Sequence, residues 1–587
     1  MSAPLTENAP APDAVDLELA GVWIALAVLA AARAGLAFNA SMALWSLPLP
    51  RWLPFRWGWL PTLAASLALV PLIGRRAAPS LARLGDAFAR RPLRLACLAA
   101  VVSMAVVWAL PDRTLFLGDF AMRSGTILAD KDPAHLFPQA MPLDILTHVR
   151  LPQALKHAVA LPVQDLLRLL ALPCAALLGM AAALMPAALA IEGAAAIAAA
   201  LIVWGGGYLG MFTGYGKSAI ELTAFTAIAG VAALRVARDG RGLLMLAVAT
   251  ALALAYHRSG VLLLPAAIAG IVLAPGSWRT TRALAAVVLA AALVAFGPRA
   301  WHVITTFDSL HHLAPPDARS TLGRWLGVVA PVHLLDVLNV TAVLSPLALA
   351  LPAFAPQLRR APRREALMMA ALILPALAML LLTRPQQGLL RDRDVFAQAG
   401  AALSVLMAWL VAGLLRSAPG RAWLALGIAL SAVVPSVQWL GLMHRQNDGL
   451  RMVRAYIEGK PERSAEDRAA TWDFLGTSAM VDHHVEEAAA CFARAVQAAD
   501  SPRLIGQWGM TETMLGNYSR ADSLFRRAVT LNPDFTLGWV GLGAAASWIG
   551  DTASCAEAEH RIGALDPANA VLPQLRGYLE RARAGRP

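Results

Sequence analysis

The sequence predicts an all-α protein, in which a polytopic membrane bundle of about 13 transmembrane helices is followed by a soluble α-solenoid. Three observations lead to this fold class. Of the 587 residues, 58% are hydrophobic and only 15% are charged, whereas soluble domains are about a quarter charged. Long apolar runs recur up to about residue 442. After residue 443 the composition changes, and a repeat with a period of about 34 residues begins.

The apolar runs are the evidence for transmembrane helices, because crossing a hydrocarbon core of about 30 Å takes about 20 residues. They lack the alternation of barrel strands, so helices must satisfy the backbone groups within lipid. An acidic N-terminus leads directly into the first run, so no cleavable signal peptide is expected. The runs lie at 17–38, 58–74, 95–110, 166–190, 191–211, 218–234, 242–256, 260–274, 283–298, 331–354, 365–383, 395–415 and 422–442.

Arginine-rich segments between the runs predict the orientation, because cytoplasmic loops carry the excess of Lys and Arg. An even number of predicted spans separates each segment from the next, so one orientation satisfies all of them. The arginine-rich segments are 75–94, 235–241, 279–282, 359–364 and 416–421. The opposite face receives 111–165, 212–221, 257–260, 299–330, 384–394 and the C-terminal tail. In a bacterium these would be the two sides of the inner (cytoplasmic) membrane, with the second set in the periplasm.

The tail resembles tetratricopeptide repeats. Its second copy has small residues where paired helices touch and large residues between them: Gly509, Gly516, Tyr518, Ala521, Phe525, Ala528, Leu531 and Pro533. We therefore predict an N-terminal tail (1–16), a membrane domain (17–442) with a large outer loop (111–165), a linker (443–468) and a repeat domain (469–587). Two roles for the repeats stay open: a concave surface that binds a polypeptide acceptor or partner, and a domain that caps the outer loops.

The first candidate site residue is Asp119, which lies at the start of the large outer loop. A carboxylate at the membrane surface can act as a general base and remove a proton from an acceptor hydroxyl. A helix cap is the alternative. The same loop later carries Asp144.

Three further outer segments carry candidates. In Tyr215-Gly216-Lys217 the lysine can bind a phosphate, or it can pair with Glu221, which is four residues on and shares its face on a helix. His257 and Arg258 form a tight outer turn, in which the arginine either binds a ligand or extends to the interface. The third segment is Arg391-Asp392-Arg393-Asp394, where an arginine can bind a phosphate bidentately or the charges can neutralise one another.

No metal site is predicted, since adjacent histidines in the outer loop 299–330 lack helical ligand spacing, although a divalent cation stays an alternative. The four cysteines are too scattered for a disulfide framework. The net charge of +12 comes from arginines in short loops between apolar runs, so no nucleic-acid partner is expected.

Taken together, these features resemble the GT-C superfamily of polyprenyl-phosphate-sugar-dependent glycosyltransferases. The resemblance rests on the many-helix body, on Asp119 in the first large outer loop, and on outer-face basic residues such as Lys217 and Arg258. The repeat tail on the same face is similar to the layout of tetratricopeptide-bearing O-mannosyltransferases. Protein mannosyltransferases have an adjacent Asp-Glu pair, whereas Phe120 follows Asp119 here.

The resemblance implies an inverting hexosyl- or pentosyltransferase. Its sugar donor would be a polyprenyl-phosphate-linked sugar that lies in the membrane lipid. Asp119 would be the catalytic base. The donor phosphate would be bound by Lys217, Arg258, Arg391 and Arg393. The substrate site would be shaped by Asp144, Tyr215, Glu221, His257, Asp392 and Asp394. The acceptor would be a periplasmic glycan, lipid or protein, and the repeats would bind a protein or peptide.

Two other classes remain alternatives. A non-catalytic membrane scaffold would use its repeats to recruit an envelope assembly, and it needs no cluster of charges. A transporter or flippase for a lipid-linked glycan would have charges in mid-membrane segments and repeated halves.

Overall fold

The computed structural model describes residues 12–118, 120–276, 279–308, 327–385, 387–416 and 419–584. Within these ranges the chain is helical and contains no β-strand, which confirms the all-α prediction for the described residues. The chain divides into two compact units. Unit 1 comprises 1–385 and 389–452, and unit 2 comprises 386–388 and 453–587.

Unit 1 contains the candidate membrane spans. In the described residues, eight helices are long and apolar enough to cross a membrane, since 20 helical residues span about 30 Å. They are Leu17–Leu36, Pro92–Ala109, Val163–Leu189, Ala219–Asp239, Arg279–Asp308, Arg363–Leu382, Arg393–Arg416 and Gly420–His444. Each overlaps one of the predicted runs, which is consistent with a membrane protein.

The predicted run 331–354 is a bent pair of helices, Pro331–Leu344 and Pro346–Arg360, which meet at 105°. Pro346 causes the break, because proline has no N–H for the helical hydrogen bond and its ring clashes with the preceding turn. The apolar helices Gly193–Trp204, Leu243–Tyr256 and Arg258–Leu273 are shorter than a full span. The count of 13 spans therefore stays a prediction.

The predicted run 58–74 differs from the structure. A nine-residue helix, Trp59–Leu67, is followed by a separate helix, Pro71–Arg90. Pro71 occupies the first position of the second helix, and it holds Val70 in an extended conformation. The predicted run 58–74 is therefore not one continuous helix. The second helix also carries much of the first arginine-rich segment.

Shorter helices complete unit 1. The other α-helices are Leu49–Trp52, Phe120–Leu128, Pro133–Leu136, Pro142–Ile145, Leu151–Leu155 and Gln446–Glu458, the last of which contains the boundary with unit 2; Leu264–Leu273 and Ala355–Arg360 are the α-helical parts of two segments named above. Five 3₁₀ turns (Gly207–Phe212, Arg258–Leu263, Pro346–Phe354, Arg393–Phe396 and Pro419–Leu424) and two π turns (Leu146–Arg150 and Ile304–Asp308) are also present in the described residues. The outer loop 111–165 is thus largely helical.

Two of the arginine-rich segments, 75–94 and 235–241, contact residues at the junction of the predicted runs 166–190 and 191–211. Asp86 accepts a hydrogen bond from the Gly193 N–H at 3.1 Å, so the helix Pro71–Arg90 meets the short loop before Gly193. Arg238 pairs with Glu365 at 2.8 Å, and it also donates to the Ala188 carbonyl at 3.1 Å. These contacts place 86, 188–193, 238 and 365 together.

Unit 2 contains consecutive helices that pack pairwise. They are Ala465–Val481, Val485–Ala498, Pro502–Met514, Tyr518–Leu531, Thr536–Ile549, Thr552–Leu565 and Leu572–Arg583. Gly476 lies against Phe492 and Gly509 lies against Phe525, so a small residue faces a large one across each of the first two pairs. The boundary of this unit, between 452 and 453, falls inside the segment predicted as a linker, 443–468.

Candidate functional site

The start of the large outer loop is hydrogen bonded to three later parts of unit 1. The Asp112 N–H donates to the Thr213 carbonyl at 3.2 Å, and the Thr114 N–H donates to the Met443 carbonyl at 3.0 Å. The Gly118 N–H donates to the Arg391 carbonyl at 3.3 Å. Segments that lie up to about 330 residues apart therefore meet beside this loop. Asp119 itself lies outside the described residues.

Gly118 packs closely against three polar residues, Tyr215, Lys217 and Asp394, which we call the lysine cluster. Its φ of +34° favours glycine, and a Cβ here would overlap the Tyr215 hydroxyl and lie 3.6 Å from Lys217 Nζ. Lys217 Nζ lies 2.9 Å from Asp394 Oδ2, and the Tyr215 hydroxyl donates to the same oxygen at 3.1 Å. The Asp394 side chain is 3% exposed and that of Lys217 is 20% exposed. The backbone before position 119 thus adjoins a lysine that a buried carboxylate positions.

The predicted alternative pairing of Lys217 with Glu221 is wrong. The helix begins at Ala219, so Lys217 precedes it and turns toward Asp394. Glu221 instead accepts a hydrogen bond from His148 Nε2 at 3.1 Å, and both side chains are buried. Lys217 and Glu221 therefore contact different partners, because only Glu221 lies within the helix.

Asp144 forms a buried ion pair with Arg123. Arg123 Nη2 lies 2.7 Å from Asp144 Oδ2, and the two side chains are 4% and 3% exposed. Arg123 also donates to the Gly216 carbonyl at 3.2 Å. Burial alone would raise the pKa of Asp144, but the charges of Arg123, His148 and His257 outweigh it and lower the pKa to about 2. Asp144 is therefore ionised throughout the physiological range.

Asp144 connects the ion pair to the lysine cluster. Its Oδ1 accepts a hydrogen bond from the Ser218 N–H at 3.3 Å, and Ser218 directly follows Lys217. His148 lies one helical turn after Asp144, and Glu221 lies one turn after Ser218. The predicted residues Asp144, Tyr215, Lys217, Glu221 and Asp394 thus belong to one continuous network.

His257 and Arg258 form a second polar group. Arg258 makes a bidentate pair with Asp308, in which Nε lies 2.5 Å from Oδ2 and Nη2 lies 2.6 Å from Oδ1. Its Nη1 lies 3.0 Å from His257 Nε2. A phosphate would have to displace Asp308 to take both of those guanidinium nitrogens. Arg258 Nη1 also donates to the Gln139 carbonyl at 3.5 Å, so this group contacts the outer loop that carries Asp144.

The segment 391–394 divides into two roles. Arg391 is half-buried, and its guanidinium carbon lies 5.9 Å from the centre of the Phe116 ring. Asp392 is 8% exposed at the start of a 3₁₀ turn. Arg393 is 1% exposed, donates to the Leu390 carbonyl at 2.7 Å and stacks over Trp439. The predicted phosphate contact of Arg393 does not fit this placement, because its guanidinium is enclosed by protein.

Four residues in or beside the network were not among the predicted site residues: Asp112, Arg123, His148 and Asp308. His148 had a usable signal, since it lies four residues after Asp144 and would share its helical face. Arg123 and Asp308 had none, because their partners are 21 and 50 residues away. Burial raises the pKa of Asp112, while the Leu115 N–H and the charge of Arg393 oppose that shift.

Within the described ranges, no group of three or more His, Cys, Asp or Glu side chains is arranged to hold a metal ion. The network instead alternates cations and carboxylates that pair with one another. No protein-family model matches the chain, and no curated protein matches it.

Proposed function

We propose that the chain is an integral-membrane glycosyltransferase that moves a sugar from a polyprenyl-phosphate donor to a periplasmic acceptor. The observation that carries the proposal is the meeting of Gly118, Lys217, Asp394 and Arg391. A base from the first outer loop and cations from two later loops are the groups that such a transfer needs at one place.

In the proposed reaction, Asp119 removes the proton from an acceptor hydroxyl. The acceptor oxygen forms a bond to the anomeric carbon while the bond from that carbon to the phosphate oxygen breaks. The phosphate leaves with the bonding electrons, and the anomeric centre inverts. Lys217 and Arg391 stabilise the developing negative charge, since cations fixed in a site of low dielectric act strongly on it.

The remaining residues of the network hold this arrangement. Asp394 and Tyr215 position the Lys217 ammonium through contacts of 2.9 Å and 3.4 Å. Asp144 and Arg123 fix the backbone around Gly216 and Ser218. Arg258 is proposed to act beside the donor only when Asp308 moves; otherwise it shapes the site together with His257.

The topology of 13 spans, the periplasmic site and the tetratricopeptide character of unit 2 are part of the proposal. The contact of Asp86 with Gly193 supports the assignment of 166–211 as two spans, because it brings their connecting loop to the arginine-rich face. Small-against-large contacts such as Gly509 with Phe525 support the repeat assignment. The repeats are proposed to bind a protein or peptide.

The test is sugar transfer by membranes from cells that express the full chain. The membranes receive radiolabelled undecaprenyl-phosphate hexoses, and the label that enters other membrane or periplasmic material is counted. We expect Asp119→Asn to abolish transfer while expression and membrane insertion stay normal, because an amide cannot accept the acceptor proton.

The matched control is Asp130→Asn, which alters another carboxylate of the same outer segment, one whose side chain is 56% exposed. This variant should transfer at the rate of the unaltered chain. Normal transfer by Asp119→Asn would remove the assigned base, and absence of transfer by the unaltered chain with every hexose tested would favour a scaffold.

A further inference from the structure

Four side chains at the centre of the network form a frame. Asp144 and His148 lie one turn apart on one helical segment, and Ser218 and Glu221 lie one turn apart at the start of another. Two contacts join the segments: the Ser218 N–H donates to Asp144 Oδ1 at 3.3 Å, and His148 Nε2 donates to Glu221 Oε2 at 3.1 Å. Side chains one helical turn apart are about 5–6 Å from each other, so Ser218 and His148 occupy opposite corners of a small frame.

Two atoms on this frame are buried without a hydrogen-bond partner among the described residues: His148 Nδ1 and Ser218 Oγ. Their residues are 2% and 1% exposed. In the adjoining lysine cluster, Asp394 Oδ1 is buried in the same way. Buried polar atoms are nearly always hydrogen bonded, because a buried group without a partner loses its hydrogen bonds to water and forms none within the protein. Three such atoms along one network indicate a polar ligand.

The chemistry of these atoms selects hydroxyl groups. The Glu221 carboxylate can only accept, so His148 Nε2 donates to it, and Nδ1 is left as the second hydrogen-bonding atom of the ring. Asp394 Oδ1 is an acceptor, and the Ser218 hydroxyl both donates and accepts. A ligand whose groups both donate and accept hydrogen bonds, as the free hydroxyls of a sugar ring do, can meet all three atoms.

We infer that His148 Nδ1 and Ser218 Oγ, with Asp394 Oδ1 beside them, bind hydroxyl groups of the donor sugar. This assignment rests on the proposed transferase function and adds to it that the donor is a sugar with unmodified hydroxyls at the positions that meet this frame. A site with buried hydrogen-bonding groups rejects a ligand that lacks the matching hydroxyl, because the protein groups then remain unpaired.

The test measures binding by the full chain in lipid nanodiscs. The probes are farnesyl phosphate, farnesyl-phosphate hexoses of gluco, manno and galacto configuration, and their monodeoxy analogues. We expect the unaltered chain to bind one hexose at least about 10-fold more tightly than farnesyl phosphate and than one of its deoxy analogues. Ser218→Ala and His148→Gln should each reduce that preference about 10-fold, because each removes one of the unmet polar atoms.

The variants are chosen to separate recognition from folding. His148→Gln keeps a donor near the position of Nε2 for Glu221 and removes the ring atom Nδ1. The matched control is Ser103→Ala, a buried serine whose hydroxyl accepts a hydrogen bond from Trp204 Nε1 at 2.7 Å. This variant should retain the full preference for the hydroxylated sugar.

The outcomes distinguish the inference from the function on which it rests. Equal affinity for farnesyl phosphate and every farnesyl-phosphate hexose would overturn the hydroxyl assignment and leave phosphate binding intact. An unchanged preference in both Ser218→Ala and His148→Gln would also overturn it, and would assign the unmet atoms to water. If no farnesyl phosphate compound binds, the transferase proposal itself fails.

Discussion

Removal of the carboxylate of Asp144 should destabilise unit 1 by several kcal/mol. In the intact protein Asp144 accepts two hydrogen bonds from Arg123, at 2.7 Å and 3.2 Å, and one from the Ser218 N–H at 3.3 Å. Breaking a buried ion pair costs about 3–5 kcal/mol, because the remaining charge has no counter-ion. Asp144→Asn keeps an oxygen that can accept one of these bonds, so we expect a loss near the lower end, about 3 kcal/mol.

The assay is unfolding of the full chain in mixed micelles. Asp132→Asn is the matched control, because Asp132 pairs with Arg150 at 3.6 Å while both side chains are more than half exposed. An exposed pair contributes about 0–1 kcal/mol, so this variant should unfold nearly as the unaltered chain does. The double variant Arg123→Met/Asp144→Leu should recover much of the stability, since no charge is left unpaired.

The pH dependence follows from the lowered pKa of Asp144. A carboxylate whose folded pKa lies below its unfolded value stabilises the fold fully above the unfolded value, 3.8, and loses that contribution as the pH falls toward about 2. The difference between Asp144→Asn and the unaltered chain should therefore be constant at neutral pH and shrink only in acid. Equal stability of the two proteins at pH 7 would refute the structural role assigned to this pair.

Three further outcomes are expected. Lys217→Ala should weaken binding of farnesyl phosphate at least about 10-fold, while Lys131→Ala, which alters an exposed lysine of the outer loop, should not; an unchanged titration would count against the phosphate role. Gly85→Ala should lower the melting temperature of the full chain because its Cβ would overlap the Gly193 carbonyl, whereas Gly125→Ala, which meets open space, should leave it equal or higher. A periplasmic reporter fused after Arg451 should be active, and cytoplasmic activity at that position would overturn the proposed orientation.

The helical spans were largely predictable because their signal is local. Eight of the predicted runs overlap helices long enough to cross a membrane, since each run carries its own apolar composition. The breaks were harder to predict. Pro71 and Pro346 divide runs that hydropathy alone joins, because averaged hydropathy does not register the missing N–H of a proline.

Several residues of the network could be selected from the sequence, but their pairing could not. Lys217, Asp394 and Asp144 could be selected because charges at a membrane boundary are costly and therefore conspicuous. Their contacts depend on which loops meet, and sequence spacing suggested Glu221 as the partner of Lys217 in place of Asp394. The burial of a side chain could not be predicted from the sequence either. Arg393, for example, was expected to bind phosphate, but its guanidinium is enclosed by protein.

The hydrogen bonds of Asp112, Thr114 and Gly118 to Thr213, Met443 and Arg391 have a consequence for biosynthesis. The ribosome synthesises the outer loop long before residues 391 and 443. The loop is therefore without these two neighbours until synthesis is nearly complete. Chains that end before residue 391 would contain most of the helices yet lack two of these three contacts. Activity should therefore arise late in synthesis and in a single step, and fragments should be inert even when they are well inserted.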